Sequence, residues 1–226
     1  MAPRGRIWQR GIAASLAVAT AAALALGITS FATADTRSEV AATTSRVVEK
    51  GEFHDGMRRL WVDHVTWTRL FIVSFAADLP DLQATTDRLL RNQVDIGDAV
   101  KPFYGERAGN RLAGLLREHI LTAADVLVAA KAGDTPAFED ASDSWYRNAR
   151  QIARFLHDAN PNHWPLAEMR MMMRHHLDLT LEEAAHQLGG DYPASVADYD
   201  AVETEILAMA DMLSKGIIRQ FPQKFA

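Results

Sequence analysis

The 226-residue sequence predicts an all-α protein, a six-helix bundle built from three helical-hairpin repeats of about 56 residues. Three observations predict it. From about His54 onward, apolar residues recur at i, i+3, i+4 and i+7, the period of one helix face. Five clusters of helix breakers divide that stretch: Asp78-Leu79-Pro80, Tyr104-Gly105, Gly133-Asp134-Thr135-Pro136, Asn160-Pro161 through Pro165, and Gly189 through Pro193. Nothing alternates with period two for long enough to form a sheet.

In chain order, residues 1–34 read as a secretory signal peptide. Arg4, Arg6 and Arg10 make a basic start, Gly11 to Ile28 an apolar run, and Ala32-Thr33-Ala34 supplies small residues at the −3 and −1 positions of a cleavage site. Cleavage is expected after Ala34. The alternative is an uncleaved anchor, because the run approaches the ~20 residues of a spanning helix. Its alanine-rich makeup and the prompt A-x-A site favour cleavage. Arg4 and Arg6 are not adjacent, so a twin-arginine signal is not supported. The protein is thus expected to be secreted or held in the cell envelope. Residues 35–52 are polar and read as a flexible leader. Residues 53–226 form the helical domain, with repeats at about 53–104, 105–160 and 163–220.

Loss of the three arginines moves the formal charge from −5 to −8, which argues against nucleic acid as a partner. No later segment is apolar enough to span a membrane. The chain has no cysteine. That excludes thiol catalysis, thiolate metal sites and disulfide stapling.

Three breaks share a D-x-P pattern: Asp78-Leu79-Pro80, Asp134-Thr135-Pro136 and Asp191-Tyr192-Pro193. Proline suits the first helical turn, and aspartate complements the positive end of the helix dipole. Each D-x-P is therefore expected to start the second helix of a hairpin. Seven residues after the prolines stand Asp87, Asp143 and Asp200, and five further stand Asn92, Asn148 and Glu205. Upstream, His64, His119 and His176 precede the prolines by 16, 17 and 17 residues.

With each histidine as position zero, positions −7, −4, −3 and +4 are Met57, Leu60, Trp61, Thr68; Leu112, Leu115, Leu116, Ala123; and Met169, Met172, Met173, Thr180. These share one helix face, so each histidine points into the core beside a small residue. Asn92, Asn148 and Glu205 also lie on apolar stripes. Buried polar groups need partners. One arrangement pairs them within hairpins, His64 with Asn92, His119 with Asn148 and His176 with Glu205, as a layer fixing register. The other brings the three histidines and Glu205 together as a site for zinc, copper, iron or manganese. Asp87, Asp143 and Asp200 would then be outer-shell or structural polar groups. Ligands sharing an ion must bring their donor atoms within about twice a ~2 Å bond. No H-x3-H, E-x2-H or H-E-x2-H pair supports the metal arrangement.

Other features have plainer readings. Met169, Met172 and Met173 read as core packing, although methionine beside His175 and His176 also suits copper. Asp87 with Arg91 and Asp143 with Arg147 are spaced as surface ion pairs. Asp63 and Glu118 read as solvated charge, and Asp198-Tyr199-Asp200 as a chance D-x-D. Gly97 permits a bend or a close helix approach. No phosphate-binding loop, G-x-S-x-G elbow or dinucleotide turn occurs.

Trp61-Val62-Asp63-His64-Val65-Thr66-Trp67-Thr68-Arg69, Arg88 through Gly97, the Phe103-Tyr104-Gly105 turn, and Met209 through Ile218 with Gln220-Phe221-Pro222 resemble the motifs of an uncharacterised family of bacterial, often exported, helical proteins. The resemblance covers almost all of the chain after residue 34. Some members carry the labels glycosyltransferase or acetylglutamate kinase, chemistries normally housed in α/β folds and supported by no motif here. The family commonly has histidine where this chain has Glu205. The resemblance thus implies a ligand-type residue at that position.

The sequence therefore points to an exported, non-enzymatic binding or structural protein, with a transition-metal site at His64, His119, His176 and Glu205. The alternative is an enzyme, either metal-dependent at those residues or a transferase as the family labels suggest.

Overall fold

A computed structural model describes residues 47–226. The signal peptide, its cleavage site and most of the 35–52 leader lie outside the described residues. Within them the fold is an all-α bundle of six helices: α1 Lys50–Ala76, α2 Leu82–Tyr104, α3 Glu106–Ala132, α4 Thr135–Ala159, α5 Leu166–Gly189 and α6 Tyr192–Gln220. A short 3-10 turn, Pro222–Lys224, follows.

Each helix packs on the next, and α6 returns against α1, which closes the six into a ring. The odd-numbered helices meet inside it: α5 also touches α1 and α3. The turns joining α1 to α2, α3 to α4 and α5 to α6 therefore lie at one end of the bundle.

The D-x-P expectation holds at two of its three places. Asp134 and Asp191 cap α4 and α6, accepting hydrogen bonds from the backbone amides of Ala137 at 3.1 Å and Ala194 at 3.2 Å. Each has proline in the first turn that follows. Before α2 the pattern fails. Asp78 adopts φ 52°, and Pro80 stays in the turn while α2 begins at Leu82 behind Asp81. Left-handed backbone is tolerated by aspartate. Here Lys131 fixes the turn by donating to Asp78 Oδ1 at 2.7 Å and to the Phe75 carbonyl at 2.8 Å.

Helix α1 starts at Lys50, earlier than the expected boundary at 53. The reason lies across the fold. Val48 pairs with Phe225 in an isolated bridge, its amide donating to the Lys224 carbonyl at 3.0 Å and its carbonyl accepting from Ala226 at 3.0 Å. Phe225 then stacks on Phe103 and packs against Phe53. At the α2–α3 junction a single residue, Gly105 at φ 84°, makes the turn. Gly97 serves a close approach. A Cβ there would lie 2.6 Å from the Gly109 carbonyl and 2.8 Å from Ala113 Cβ, so α2 and α3 touch backbone to backbone.

The apolar core falls into two clusters. The larger includes Met57, Trp61, Leu112, Leu116, Trp145, Met169, Met173 and Ile206. The smaller holds Phe71, Ile72, Leu89, Ile120, Leu127 and Ala184, toward the hairpin turns. Met169 and Met173 are thus core residues, while Met171 and His175 are exposed.

Candidate functional site

His64, His119 and His176 come from α1, α3 and α5, one per hairpin, and all are buried. Their ring centroids form a triangle with sides of 6.5 Å between His64 and His119, 5.9 Å between His64 and His176, and 6.1 Å between His119 and His176. The convergence read from the helix register is therefore real. Trp61 lies 5.7 Å from the His64 ring and Trp145 lies 5.5 Å from the His119 ring, walling the layer.

The even-numbered helices engage the Nδ1 atoms. His119 Nδ1 donates to Asn148 Oδ1 at 3.2 Å, as the pairing scheme expects. His176 Nδ1 stands 3.2 Å from Glu205 Oε2, the second expected pair. That contact is short but poorly aligned, so His176 Nδ1 and both Glu205 oxygens are left without a true hydrogen bond. His64 and Asn92 make no direct hydrogen bond, although Asn92 stays close enough to favour the charged form of the ring. The neighbouring Gln93 Nε2 donates to His64 Nδ1 at 3.3 Å, while Asn92 Nδ2 donates to the Leu60 carbonyl at 3.0 Å. Asn148 Nδ2 makes the equivalent bond to the Leu115 carbonyl at 3.1 Å. Both asparagines thus clip one helix of a hairpin to the other.

Gln93 is the residue that sequence reasoning missed. It is fully buried and lies next to Asn92 on a stripe wide enough to hold both. The available signal was its absence of charge beside an apolar face, which is weak.

Most of the side-chain atoms left without a partner in the described residues sit in or against this layer: Trp61 Nε1, Trp145 Nε1, Gln93 Oε1, His176 Nδ1 and both Glu205 oxygens. Buried polar groups are normally satisfied. The layer is therefore only partly a closed structural network.

Electrostatics set the protonation. Burial, aided by the neighbouring imidazoles, holds His64 well below the usual histidine value. Burial likewise brings His119 down to about 3. Both rings are neutral at pH 7, the state in which imidazole ligates metal. With Nδ1–H donated to Asn148, the neutral His119 carries its free lone pair on Nε2.

As placed, the side chains do not form a ready-made coordination sphere. Among the described residues no group of three or more His, Cys, Asp or Glu is positioned to hold a metal ion. Three imidazoles on one ion, at bonds of ~2.0–2.1 Å, put their centroids about 5.3 Å apart. The observed triangle is wider by roughly 0.6–1.2 Å, so a shared ion requires the rings to draw together. Glu205 faces the Nδ1 edge of His176.

Several predicted polar roles are corrected. Asp87, Asp143 and Asp200 are exposed and take no part in the layer. They fall on the outward face of their helices, five residues from positions that point inward. The ion pairs to Arg91 and Arg147 do not form. Asp87 accepts from Gln83 at 2.8 Å instead. Asp63 is half-buried and pairs with Arg88 at 3.3 Å, whose guanidinium lies over Trp67. Asp198 of the D-x-D accepts from His186 at 2.6 Å and Asp200 points elsewhere, so no carboxylate pair exists there. A second buried network, unforeseen in the sequence, joins Arg69 to Glu183 at 2.8 Å and to Ser195.

No helix among the described residues is long and apolar enough to cross a membrane. No family model matches the chain, and no curated protein or solved structure matches it.

Proposed function

We propose that this is an exported binding protein whose histidine layer takes up one transition-metal ion, with His64, His119 and His176 as ligands through Nε2 and Glu205 orienting His176. The observation that supports it most is the triangle of buried rings within 6.5 Å of one another. Three further points support the reading. His64 and His119 are held neutral, so protons do not compete with the ion near pH 7. Nδ1 of His119 is bonded to Asn148, the outer-shell pattern of metal-ligating histidines. The buried Glu205 carboxylate has no donor, and a cation nearby would compensate its charge. His64 needs a costlier adjustment: its proton must move to Nδ1 while the Gln93 amide turns to accept it with Oε1, which gives up the Gln93 Nε2 bonds to the Leu89 carbonyl at 2.8 Å and to Asn92 Oδ1 at 3.3 Å. In this reading zinc, copper, iron and manganese are all candidates, and imidazole-rich sites favour the first three.

Metal analysis of the protein, purified and then titrated with each ion, tests this. About one ion per chain is expected, with a rise in thermal stability on binding. No bound ion, and unchanged stability on adding zinc, copper or iron, would refute it.

A purely structural layer is the second reading. It is favoured by the asparagine clips, Asn92 to Leu60 and Asn148 to Leu115, which hold hairpins together without any ion.

A further inference from the structure

A cleft of about 350 Å³ opens at the end of the bundle away from the hairpin turns, between α6 and the start of α5. Small-molecule sites commonly enclose ~300–1,000 Å³. The cleft is separate from the histidine layer: Glu168 on its wall precedes His176 by eight residues, about 12 Å of helix. Helix α6 supplies Asp211, Met212, Lys215 and Arg219, which helical spacing puts on one face. His163 and Glu168 come from the preceding loop and the first turn of α5.

The loop side is held in place by buried groups. Trp164 lies so close to α6 that a Cβ on Gly216 would stand 2.1 Å from its Nε1. Buried Asn160 donates from Nδ2 to the Gly216 carbonyl at 3.0 Å. Its own carbonyl accepts from the amides of His163 at 3.2 Å and Trp164 at 2.9 Å. His157 Nδ1 donates to the Trp164 carbonyl at 2.9 Å. The loop is thus fastened to α4 and α6 on both sides of His163, and the cleft wall is preformed. A rigid scaffold presenting a loop residue is a common way to build a binding site.

The charges on the α6 wall are unbalanced. Lys215 and Arg219 stand one helical turn apart, where like charges repel. Asp211 is the carboxylate nearest Lys215, at 3.6 Å, but it is already engaged. Its Oδ1 accepts from Arg58 at 2.7 Å and faces His54 Nε2 at 2.9 Å. Arg219 has no ion pair among the described residues. With Asp211 neutralised by Arg58, two cations face the cleft against Glu168 alone.

We infer that the cleft binds a small organic anion, its carboxylate held between Lys215 and Arg219 and its apolar part against Met212. An anion there relieves the repulsion between the two cations. The apolar wall and the volume favour an organic body over a bare inorganic ion. The site requires no metal in the histidine layer.

The test is an NMR titration of the purified protein with benzoate, with neutral benzamide and inorganic phosphate as comparisons. Saturable amide shifts are expected at His163, Glu168, Met212 and Lys215, with benzamide and phosphate both weaker than benzoate. Lys215→Gln and Arg219→Gln should each weaken benzoate about two- to fivefold, the range for exposed ion pairs. Glu168→Gln should tighten it. Ala208→Phe fills the cleft from its exposed wall and should abolish binding with every charge intact. These positions are at the surface, and unchanged thermal melts confirm the fold. Shifts spread over all surface lysines and arginines, or benzoate binding that survives Ala208→Phe, would overturn the inference. Phosphate binding more tightly than benzoate would overturn the organic class of ligand.

Discussion

Replacing His119 by Leu isolates the best-formed pair of the layer. Leucine fills similar volume, so little cavity is created. What changes is the polar pairing. His119 Nδ1 no longer donates to Asn148 Oδ1, a bond of 3.2 Å between two buried side chains. Leaving a buried acceptor unsatisfied costs about 1–3 kcal/mol. Asn148 cannot turn to water, because its amide is held by the Leu115 carbonyl. His119→Leu should therefore lose about 1–3 kcal/mol in urea denaturation of the metal-free protein. The double change His119→Leu with Asn148→Leu removes both partners and should return to within about 1 kcal/mol of the parent. Asn148→Leu alone closes the cycle, and the loss in the double variant minus the two single losses is the coupling energy of the pair. If the two single losses simply added in the double variant, the two side chains would not be an energetic pair. The structural part of the layer would then be misread.

Four other outcomes follow from the same geometry. Folded His64 and His119 resist protonation, so the unfolded chain binds more protons below pH 6.5. Metal-free stability should then fall as pH drops below 6.5, with a slope approaching about 1.4 kcal/mol per pH unit per histidine, for His119 down to about pH 3. His119→Leu should make that slope shallower; identical slopes in denaturation at several pH values would contradict it. Gly97→Ala should destabilise by about 1–3 kcal/mol, because its Cβ meets the Gly109 backbone and outweighs the helix gain of ~1 kcal/mol. Gly114→Ala, which meets nothing within 4 Å, should stabilise by up to ~1 kcal/mol in the same assay. Asp134→Ala should cost about 1 kcal/mol in thermal melts and Asp81→Ala only a few tenths, since Asp134 caps its helix through the side chain and Asp81 does not.

The parts of the fold legible in the sequence were those carried by local chemistry. Proline, glycine and aspartate marked all five breaks, because turns and caps need those residues within a few positions. Helix register carried the histidines inward, and their depth along each hairpin set their common level. Contacts that cross the ring were not legible. Arg69 reaches Glu183 because α5 meets α1 inside the ring and Ser195 because α6 closes on α1, and no local pattern encodes either contact. The Asp87–Arg91 spacing permits an ion pair but does not require one, and Gln83 supplies a competing donor. Asn92 and Gln93 are adjacent and both buried. Which of them meets His64 depends on the rotation of α2 about its axis, which residue spacing does not encode. The Val48–Phe225 bridge joins the two ends of the described chain, whose residues carry no mark of each other.

The metal reading makes one demand that a stoichiometry alone does not meet: the triangle of rings must contract. X-ray absorption spectroscopy on the one-to-one zinc complex measures this. Three imidazoles at ~2.0–2.1 Å from the ion are expected, and the third should be lost in His119→Leu. An ion with fewer than two imidazoles, or one whose coordination is unchanged by His119→Leu, would place the metal elsewhere and leave the histidine layer a purely structural feature.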